Sequence, residues 1–259
     1  MPASNAMIGD QRDVIAVLSD PASYDPRPPT VQRIETHGAQ VFLTAGDVFK
    51  IKRAVRYPYL DFSTLEKRHT ACARELQINS ANAPMIYKRL AAITREADGR
   101  LAFDGRGEVV EWAVQMARFR EEDVLANRIA HSPLTTDEAK SLADAVYDSH
   151  LRAAVIETPP LRASTATIAA DVLAALPSLF APADQTAIQV LTARLTALVA
   201  DVQPLLERRA SEGHVRRCHG DLHLANIVLL EGKPTLFDAI EFDETLATTR
   251  AVRRRLDLD

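Results

Sequence analysis

The most informative stretch of the sequence is His219-Gly220-Asp221-Leu222-His223-Leu224-Ala225-Asn226, together with the pair Phe237-Asp238. Asp221 precedes Asn226 by five positions, and Asp238 comes twelve positions after Asn226. Between these residues, apolar runs at 227–230 and 235–237 flank a turn that contains a glycine, which predicts a β-hairpin. The hairpin would return the chain so that Asp238 lies near Asn226.

These residues supply the groups that phosphoryl transfer needs. That reaction requires a carboxylate that orients the attacking hydroxyl group, and oxygen ligands for Mg²⁺, which neutralise charge on the phosphates. We therefore predict that Asp221 is the catalytic base and that Asn226 and Asp238 hold the metal, since hard oxygen ligands suit Mg²⁺. His219 begins the motif, and we expect it to brace the catalytic loop.

A second interpretation of the same stretch is a zinc site. His219, Asp221 and His223 alternate, so that on a β-strand they would share one face. Three such ligands could bind Zn²⁺ and activate water for hydrolysis. This alternative, a metal-dependent hydrolase, leaves Asn226 and the region upstream of the stretch without a role.

Upstream of this stretch, the sequence predicts a small antiparallel lobe. Strand-like runs occur at 31–34, 41–43, 48–52, 100–103 and 108–116, and a return strand begins at Pro84. Ser63 stands three residues before Glu66, which is the signature of a capping box, so a helix is predicted over 64–79. A short amphipathic helix is predicted at 8–19, and the proline-rich segment 20–30 is predicted to be an extended linker.

After Arg118 the sequence becomes rich in Ala and Leu with helical spacing, over 121–131, 135–155 and 164–212. Strands followed by helices, with one helix among the strands, predict an α+β fold with two lobes. The predicted organisation is an N-terminal helix and linker (1–30), a small nucleotide-binding lobe (31–118), a helical catalytic lobe (119–246) and an atypical basic tail (247–259).

These features resemble the aminoglycoside phosphotransferase-like kinases, a branch of the protein-kinase-like fold. The stretch 219–226 fits that family's catalytic loop, H-G-D-x-x-x-x-N, and Asp238 matches its metal-binding Asp. The sequence is more similar still to a bacterial subgroup in which such a domain often precedes a P-loop ATPase domain. Three phrases carry that similarity: Thr36-His37, Leu60-Asp61-Phe62-Ser63-Thr64-Leu65-Glu66 and Leu236-Phe237-Asp238-Ala239-Ile240-Glu241-Phe242. The resemblance covers about residues 10–246, and the chain contains no Walker-type phosphate loop.

The resemblance implies a site for ATP in the small lobe. A kinase-like fold carries a Lys on its third strand, paired with a Glu of the helix that follows. Lys50 and Lys52 stand on one strand face, and Val48-Phe49-Lys50 fits the family's apolar-x-Lys pattern, which favours Lys50 as the phosphate contact. Lys52 is the second candidate, with a solvated strand end as its simpler interpretation. For the Glu we predict Glu75, whose alternative is a surface charge beside Arg74.

The remaining nucleotide contacts implied by the resemblance are a loop and a hinge. The loop over the phosphates would be 35–40, which contains one glycine and therefore adds little evidence alone. The adenine hinge would lie near Met116, whose simpler interpretation is an ordinary core residue. The resulting prediction is an ATP- and Mg²⁺-dependent phosphotransferase that acts on a hydroxyl of a small molecule. A regulatory nucleotide-binding module with little turnover is the alternative from another class.

Composition sets the background for these predictions. The 259 residues are 47% hydrophobic and 25% charged, as in a globular protein. The net charge of −4 gives no general basic field for nucleic acid or a membrane surface, so neither partner is expected. Cys72 and Cys218 are far apart, which argues against a disulfide scaffold and indicates a reducing, cytoplasmic compartment.

The C-terminal residues depart from the family pattern. After Ala247 the chain has four arginines and no convincing apolar helical stripe, where the resemblance implies an apolar helix. We therefore expect a truncated or frameshifted chain, or one half of a split protein whose partner is a P-loop ATPase domain or a separate C-terminal half. Such a chain would be poorly soluble or oligomeric and weakly active. The alternative is a naturally short variant with a solvated basic tail.

Overall fold

The computed structural model describes residues 9–57, 60–156, 165–179 and 185–250. The chain divides into two compact units. The first consists of Met1–Leu142 with Asp221–Asp243, and the second of Ala143–Gly220 with Glu244–Asp259. Every site residue predicted above belongs to the first unit, except His219.

A six-stranded antiparallel sheet forms the centre of the first unit. Its strands are β1 (Gln32–Glu35), β2 (Ala39–Leu43), β3 (Asp47–Lys52), β6 (Tyr87–Arg95), β7 (Leu101–Phe103) and β8 (Glu108–Ala117). They are ordered β1-β2-β3-β8-β6-β7 in the sheet. β3 is thus an interior strand, and its residues Val48, Phe49 and Ile51 are buried. The strand that carries the two lysines is fixed from both sides.

Helix α2 (Leu65–Ser80) follows a short hairpin of β4 (Arg56–Tyr57) and β5 (Leu60–Asp61). Its N-cap is Thr64, whose hydroxyl oxygen accepts a hydrogen bond from the N–H of Lys67. The predicted capping box on Ser63 and Glu66 is wrong by one residue, because the hydroxyl of Ser63 donates to Asp61 instead. The helix buries Cys72, Glu75 and Asn79, at the spacing of one helical face.

Helix α1 (Arg12–Ser19) packs on the same sheet rather than standing apart with a linker. Val14 and Leu18 are buried in an apolar cluster with the β3 residues Phe49 and Ile51. Just before the helix, the side-chain amide of Gln11 donates to the carbonyl of Lys52 and accepts from the N–H of Ala54, both at 2.9 Å. The segment predicted as an N-terminal helix and linker belongs to the first unit, and within it Pro21–Ser23 form a 3-10 turn.

The catalytic stretch leads into the predicted hairpin, which is present as β10 (Ile227–Leu230) paired with β11 (Lys233–Leu236). A 3-10 turn at Leu224–Asn226 precedes it. The predicted helix at 121–131 is divided into a 3-10 turn (Glu121–Asp123) and α3 (Leu125–His131).

The second unit is mainly helical. Its helices are α4 (Thr136–Arg152, from Ala143 onward), α5 (Thr165–Leu179), α6 (Gln185–Ser211) and α7 (Glu244–Ala247). Two short strands, β9 (Val215–Arg217) and β12 (Thr248–Arg250), pair antiparallel. The atypical tail predicted at 247–259 begins with the last residue of α7 and then forms β12, and its residues 251–259 lie outside the described part of the chain.

The α+β class is confirmed: an antiparallel sheet with α2 inserted after β3, then helices. This is the element order that the protein-kinase-like resemblance predicts. The lobe limits 31–118 and 119–246 remain a prediction. The two compact units are divided differently, since α3 and the β10–β11 hairpin belong to the first unit together with the sheet. Within the described residues, no helix is both long and apolar enough to cross a bilayer.

Candidate functional site

The two lysines of β3 point at one carboxylate. Lys50 Nζ lies 2.9 Å from Glu75 Oε1, and Lys52 Nζ lies 2.5 Å from Glu75 Oε2. Residues two apart on a strand share a face, and Glu75 lies on the buried face of α2, so one carboxylate reaches both cations. Glu75 is 0% exposed, which rules out the interpretation as a surface charge beside Arg74.

Each lysine also pairs with the segment after β11. Lys50 Nζ lies 2.6 Å from Asp238 Oδ1, and Lys52 Nζ bonds to Glu241 Oε1. Lys52 is 3% exposed, so its interpretation as a solvated strand end is wrong. Although β3 ends at Lys52, the side chain of Gln11 donates to the carbonyl of Lys52, and the ring centre of Phe62 lies 5.5 Å from its ammonium group. These two residues help to enclose it.

These groups hold each other in their charged forms. Burial alone would lower the pKa of Lys50, but the carboxylates of Asp238 and Glu75 outweigh burial and raise it well above its ordinary value. Burial alone would raise the pKa of Glu75, but Lys50 and Lys52 lower it below its ordinary value. The pKa of Lys52 is likewise raised, by Glu75 and Glu241 against burial. The network is ionic at neutral pH.

Asp238 has an unusual backbone. Its φ of 61° lies in the left-handed region, which non-glycine residues seldom adopt. Residues in such strained conformations cluster at functional sites. Its N–H donates to the hydroxyl of Tyr87 at 3.1 Å, and the neighbouring N–H of Ala239 donates to Asn79 Oδ1 at 2.8 Å. The hairpin and these two bonds fix the direction of the Asp238 carboxylate.

Asn226 and Asp221 lie on the loop before β10. Asn226 Nδ2 donates to the carbonyl of Asp221 at 2.9 Å, so Oδ1 is the atom of this amide that can ligate a metal. The N–H of Phe237 donates to the carbonyl of Asn226 at 3.0 Å, which extends the β10–β11 ladder and brings the residue before Asp238 against Asn226. The amide oxygen of Asn226 and the carboxylate of Asp238 are the hard donors that Mg²⁺ prefers, so this donor set fits that ion.

A cavity of about 540 Å³ lies in the first unit beside the charged network. Lys50, Lys52, Asp221, Asp238 and Glu241 line its polar part. Its apolar wall includes Val41, Leu43, Val48, Tyr87, Met116, Phe119 and Phe237. An apolar slot beside convergent charges is the usual form of a small-ligand site. Met116 is buried, as in the simpler interpretation, and is part of this wall, while its place at an adenine hinge stays a prediction.

The loop between β1 and β2 also lines the cavity, through Thr36, His37, Gly38 and Ala39. Arg53 binds the backbone carbonyl groups of this loop. Its Nη1 donates to the carbonyl oxygens of Thr36 at 2.8 Å and His37 at 3.2 Å, and its N–H donates to the carbonyl oxygen of Gly38 at 2.9 Å. The trans peptide then turns the N–H groups of His37 and Gly38 away from Arg53.

The zinc interpretation does not agree with the structure. Residues 218–223 form no strand, so the alternation of His219, Asp221 and His223 does not place them on a common face. His219 is 4% exposed, whereas more than half of the Asp221 and His223 side chains is exposed. Within the described residues there is no group of three or more His, Cys, Asp and Glu side chains that could hold a metal ion.

Sequence reasoning missed two buried polar groups. The first is Glu241 as the partner of Lys52; two lysines on one strand face, opposite two acidic residues three positions apart, is the signal that could have found it. The second is Glu111 on β8, fully buried, which accepts from Gln11 at 2.7 Å and from Arg68 at 2.8 Å. No local pattern marks Glu111, since its partners are distant in sequence.

Comparison with protein families finds no family model that matches the chain. Uncharacterised proteins of Mycobacterium bovis and Mycobacterium tuberculosis are each 28% identical to it over 222 residues. The aligned region covers 84% of this chain and 43% of each relative, so the chain spans less than half the length of the curated relatives it matches.

Three solved structures are similar to the chain at low identity. The GDP and kanamycin complex of APH(2")-IIia has a TM-score of 0.45 and 10% identity, with 92% of this chain and 74% of that chain covered. The streptomycin–ATP complex of APH(2")-IIa has a TM-score of 0.43 and 14% identity, with 95% and 73% covered. Aminoglycoside phosphotransferase APH(3'')-Id from Streptomyces rimosus, with ADP and streptomycin, has a TM-score of 0.43 and 19% identity, with 91% and 74% covered.

Proposed function

We propose that the first unit binds ATP with Mg²⁺ and transfers the γ-phosphate to a hydroxyl group of a small molecule. The main support for the proposal is that Lys50, which lines the cavity, forms ion pairs with both Glu75 and Asp238. A strand lysine held by a helix glutamate, next to an aspartate after a hairpin, is the arrangement that kinases use for nucleotide phosphates and metal.

Each residue then has a role in binding. The apolar wall with Val48 and Met116 takes the adenine ring, and Lys50 pairs with the phosphates once it exchanges Asp238 for them. Asn226 and Asp238 hold Mg²⁺, which when bound neutralises charge on the phosphates. Lys52 has no comparable freedom, because both of its carboxylate partners are buried with it.

Asp221 is the proposed base. It would orient the acceptor hydroxyl and take its proton while the acceptor oxygen bonds to the γ-phosphorus. The bond from that phosphorus to the oxygen bridging the β-phosphate breaks, and ADP leaves with that oxygen. More than half of the Asp221 side chain is exposed, so a substrate can reach it. His219 would brace this loop, as its burial suits a structural role.

The proposal extends to partners and location. We propose a cytoplasmic protein with a small-molecule acceptor, no nucleic acid and no membrane. Because the relatives are longer than this chain, a P-loop ATPase domain or another C-terminal part remains the proposed partner. The acceptors named in the solved structures belong to those proteins.

The direct test combines binding and turnover. Thermal unfolding is measured with ATP, with and without Mg²⁺; a ligand at 100 times its Kd should stabilise the fold by about 2.7 kcal/mol. ADP release is then measured with a panel of hydroxyl compounds. Stabilisation with acceptor-dependent ADP release supports the proposal. Stabilisation without release from any acceptor would favour a regulatory nucleotide-binding module, and no stabilisation would reject the nucleotide site.

A further inference from the structure

Five charged side chains, four that line the cavity and the buried Glu75 behind them, form a chain of alternating sign. In order they are Glu241, Lys52, Glu75, Lys50 and Asp238. The central carboxylate divides its oxygens, one to each lysine. The strand β3 is thus tied to the segment 238–241 by two ion pairs, Lys50–Asp238 and Lys52–Glu241.

The two ion pairs differ in their access to a ligand. In the pair Lys50–Asp238 the side chains are 13% and 43% exposed, whereas in Lys52–Glu241 they are 4% and 5% exposed. Under the function proposed above, a nucleotide with its metal draws Lys50 and Asp238 apart. The buried pair has no such competitor, because each of its members is enclosed.

The segment 238–241 has a second buried anchor. The side chain of Asn79 on α2 accepts from the N–H of Ala239 at 2.8 Å, and its amide nitrogen donates to the carbonyl of Glu75 at 3.0 Å. Through Asn79, α2 therefore holds the segment 238–241 at Ala239, which lies between Asp238 and Glu241. Lys52 completes this arrangement at the Glu241 end and holds one oxygen of Glu75 at the same time.

We propose that Lys52 and Glu241 are positioning residues: their buried ion pair keeps Glu75 and the segment 238–241 in place while Lys50 exchanges Asp238 for nucleotide phosphates. This inference rests on the proposed function. It assigns Lys52 a role other than phosphate binding, since Lys52 and both of its carboxylate partners are buried, whereas Asp238, the partner of Lys50, is partly exposed.

The test removes both charges together, so that neither is left buried alone. The variant is Lys52→Met with Glu241→Gln, and Lys88→Met is the control, since Lys88 pairs with Asp47 at the surface of the same sheet. Isothermal titration gives the Kd for ATP with and without Mg²⁺. A positioning role predicts a Kd for Mg²⁺·ATP at least tenfold above wild type. It also predicts a smaller gain from Mg²⁺ than in wild type, because Asp238 is no longer held; the control keeps the wild-type values.

The outcomes separate this inference from the proposed function. Wild-type protein that does not bind Mg²⁺·ATP overturns the proposed function and this inference with it. Wild-type binding together with unchanged affinity and unchanged Mg²⁺ gain in the double variant overturns this inference alone. An equal loss with and without Mg²⁺ also overturns it, since that shows general weakening. Should the double variant fail to fold, Glu241→Gln alone is measured in the same way, because its amide can still accept from Lys52.

Discussion

The ammonium of Lys50 lies 2.6 Å from a carboxylate oxygen of Asp238, although 188 positions separate the two residues in the chain. One comes from an interior strand and the other follows the β10–β11 hairpin. Their pair forms one end of the charge network in the cavity and is its more exposed part. The fold of the first unit thus assembles, side by side, the cation that we propose for phosphate and the carboxylate that we propose for metal.

Changing Asp221 to Asn should remove turnover and leave ATP affinity nearly intact. The amide keeps the shape of the side chain but cannot take a proton, and loss of a positioned base costs about 10²–10⁴-fold in rate. ADP release with an active acceptor measures the effect, and Asp148→Asn, an exposed site on α4, is the control. Phosphorylation at the wild-type rate would reject Asp221 as the base.

Changing Asp238 to Asn should weaken the binding of ATP with Mg²⁺ more than the binding of ATP alone. Asn tolerates the left-handed backbone at φ 61° and keeps the side-chain size, so the change removes a charged metal ligand and the ion pair with Lys50. The lost ion pair affects both conditions, whereas the lost metal ligand affects only the binding with Mg²⁺. Titration of ATP with and without Mg²⁺ measures this difference. Equal losses under both conditions would mean that the carboxylate serves the fold instead.

Lys50→Ala and Lys52→Ala should separate binding from stability. Lys50→Ala should cause the greater loss of ATP affinity, because its partner Asp238 is partly exposed and a ligand can replace it. Lys52→Ala should cause the greater loss of stability, about 3–5 kcal/mol, because it leaves Glu241 buried without its cation. Urea unfolding and nucleotide titration of both variants test the ranking, and a reversed order would move the phosphate contact to Lys52.

Both cysteines should react slowly in the native protein. Burial raises the pKa of Cys72 to about 12 and that of Cys218 to about 11, so at pH 8 the thiolate, which is the reactive form, is at most about 0.1% of either. A coloured disulfide reagent at pH 8 should label two thiols quickly in denaturant and neither quickly without it. Cys72→Ala assigns any remaining rate to Cys218. Fast labelling of the native chain would contradict the burial described for both residues.

Local patterns predicted the elements well. The apolar run that contains Lys50 and the apolar runs of the hairpin depend on neighbouring residues, and each corresponds to a strand of the structure. Glu75 follows from the resemblance, which implies a Glu on the helix after the lysine strand, and it lies on the buried face of α2. These features could be predicted because strand and helix periods are local properties of a sequence.

Long-range polar contacts could not be predicted in the same way. Lys52 was interpreted as a solvated strand end because Arg53 follows it, whereas its burial depends on Gln11, Phe62 and Glu241. The helix cap was displaced because Asp61 competes for the hydroxyl of Ser63. In each case the deciding partner is one that hydrophobic periodicity does not identify.

The position of Gln11 decides where this chain can be shortened without harm. The proline-rich segment 20–30 invites a cut before Val31, which would discard α1 as though it were a dispensable leader. Such a cut would take away the amide that bonds to Glu111 and to the carbonyl of Lys52, and would uncover the rings of Phe49 and Phe103 that Tyr24 now covers. If such a shortened protein fails to bind nucleotide, the loss of these contacts with β3, β7 and β8 would explain the failure. The result would therefore not test the roles of Lys50 and Asp238.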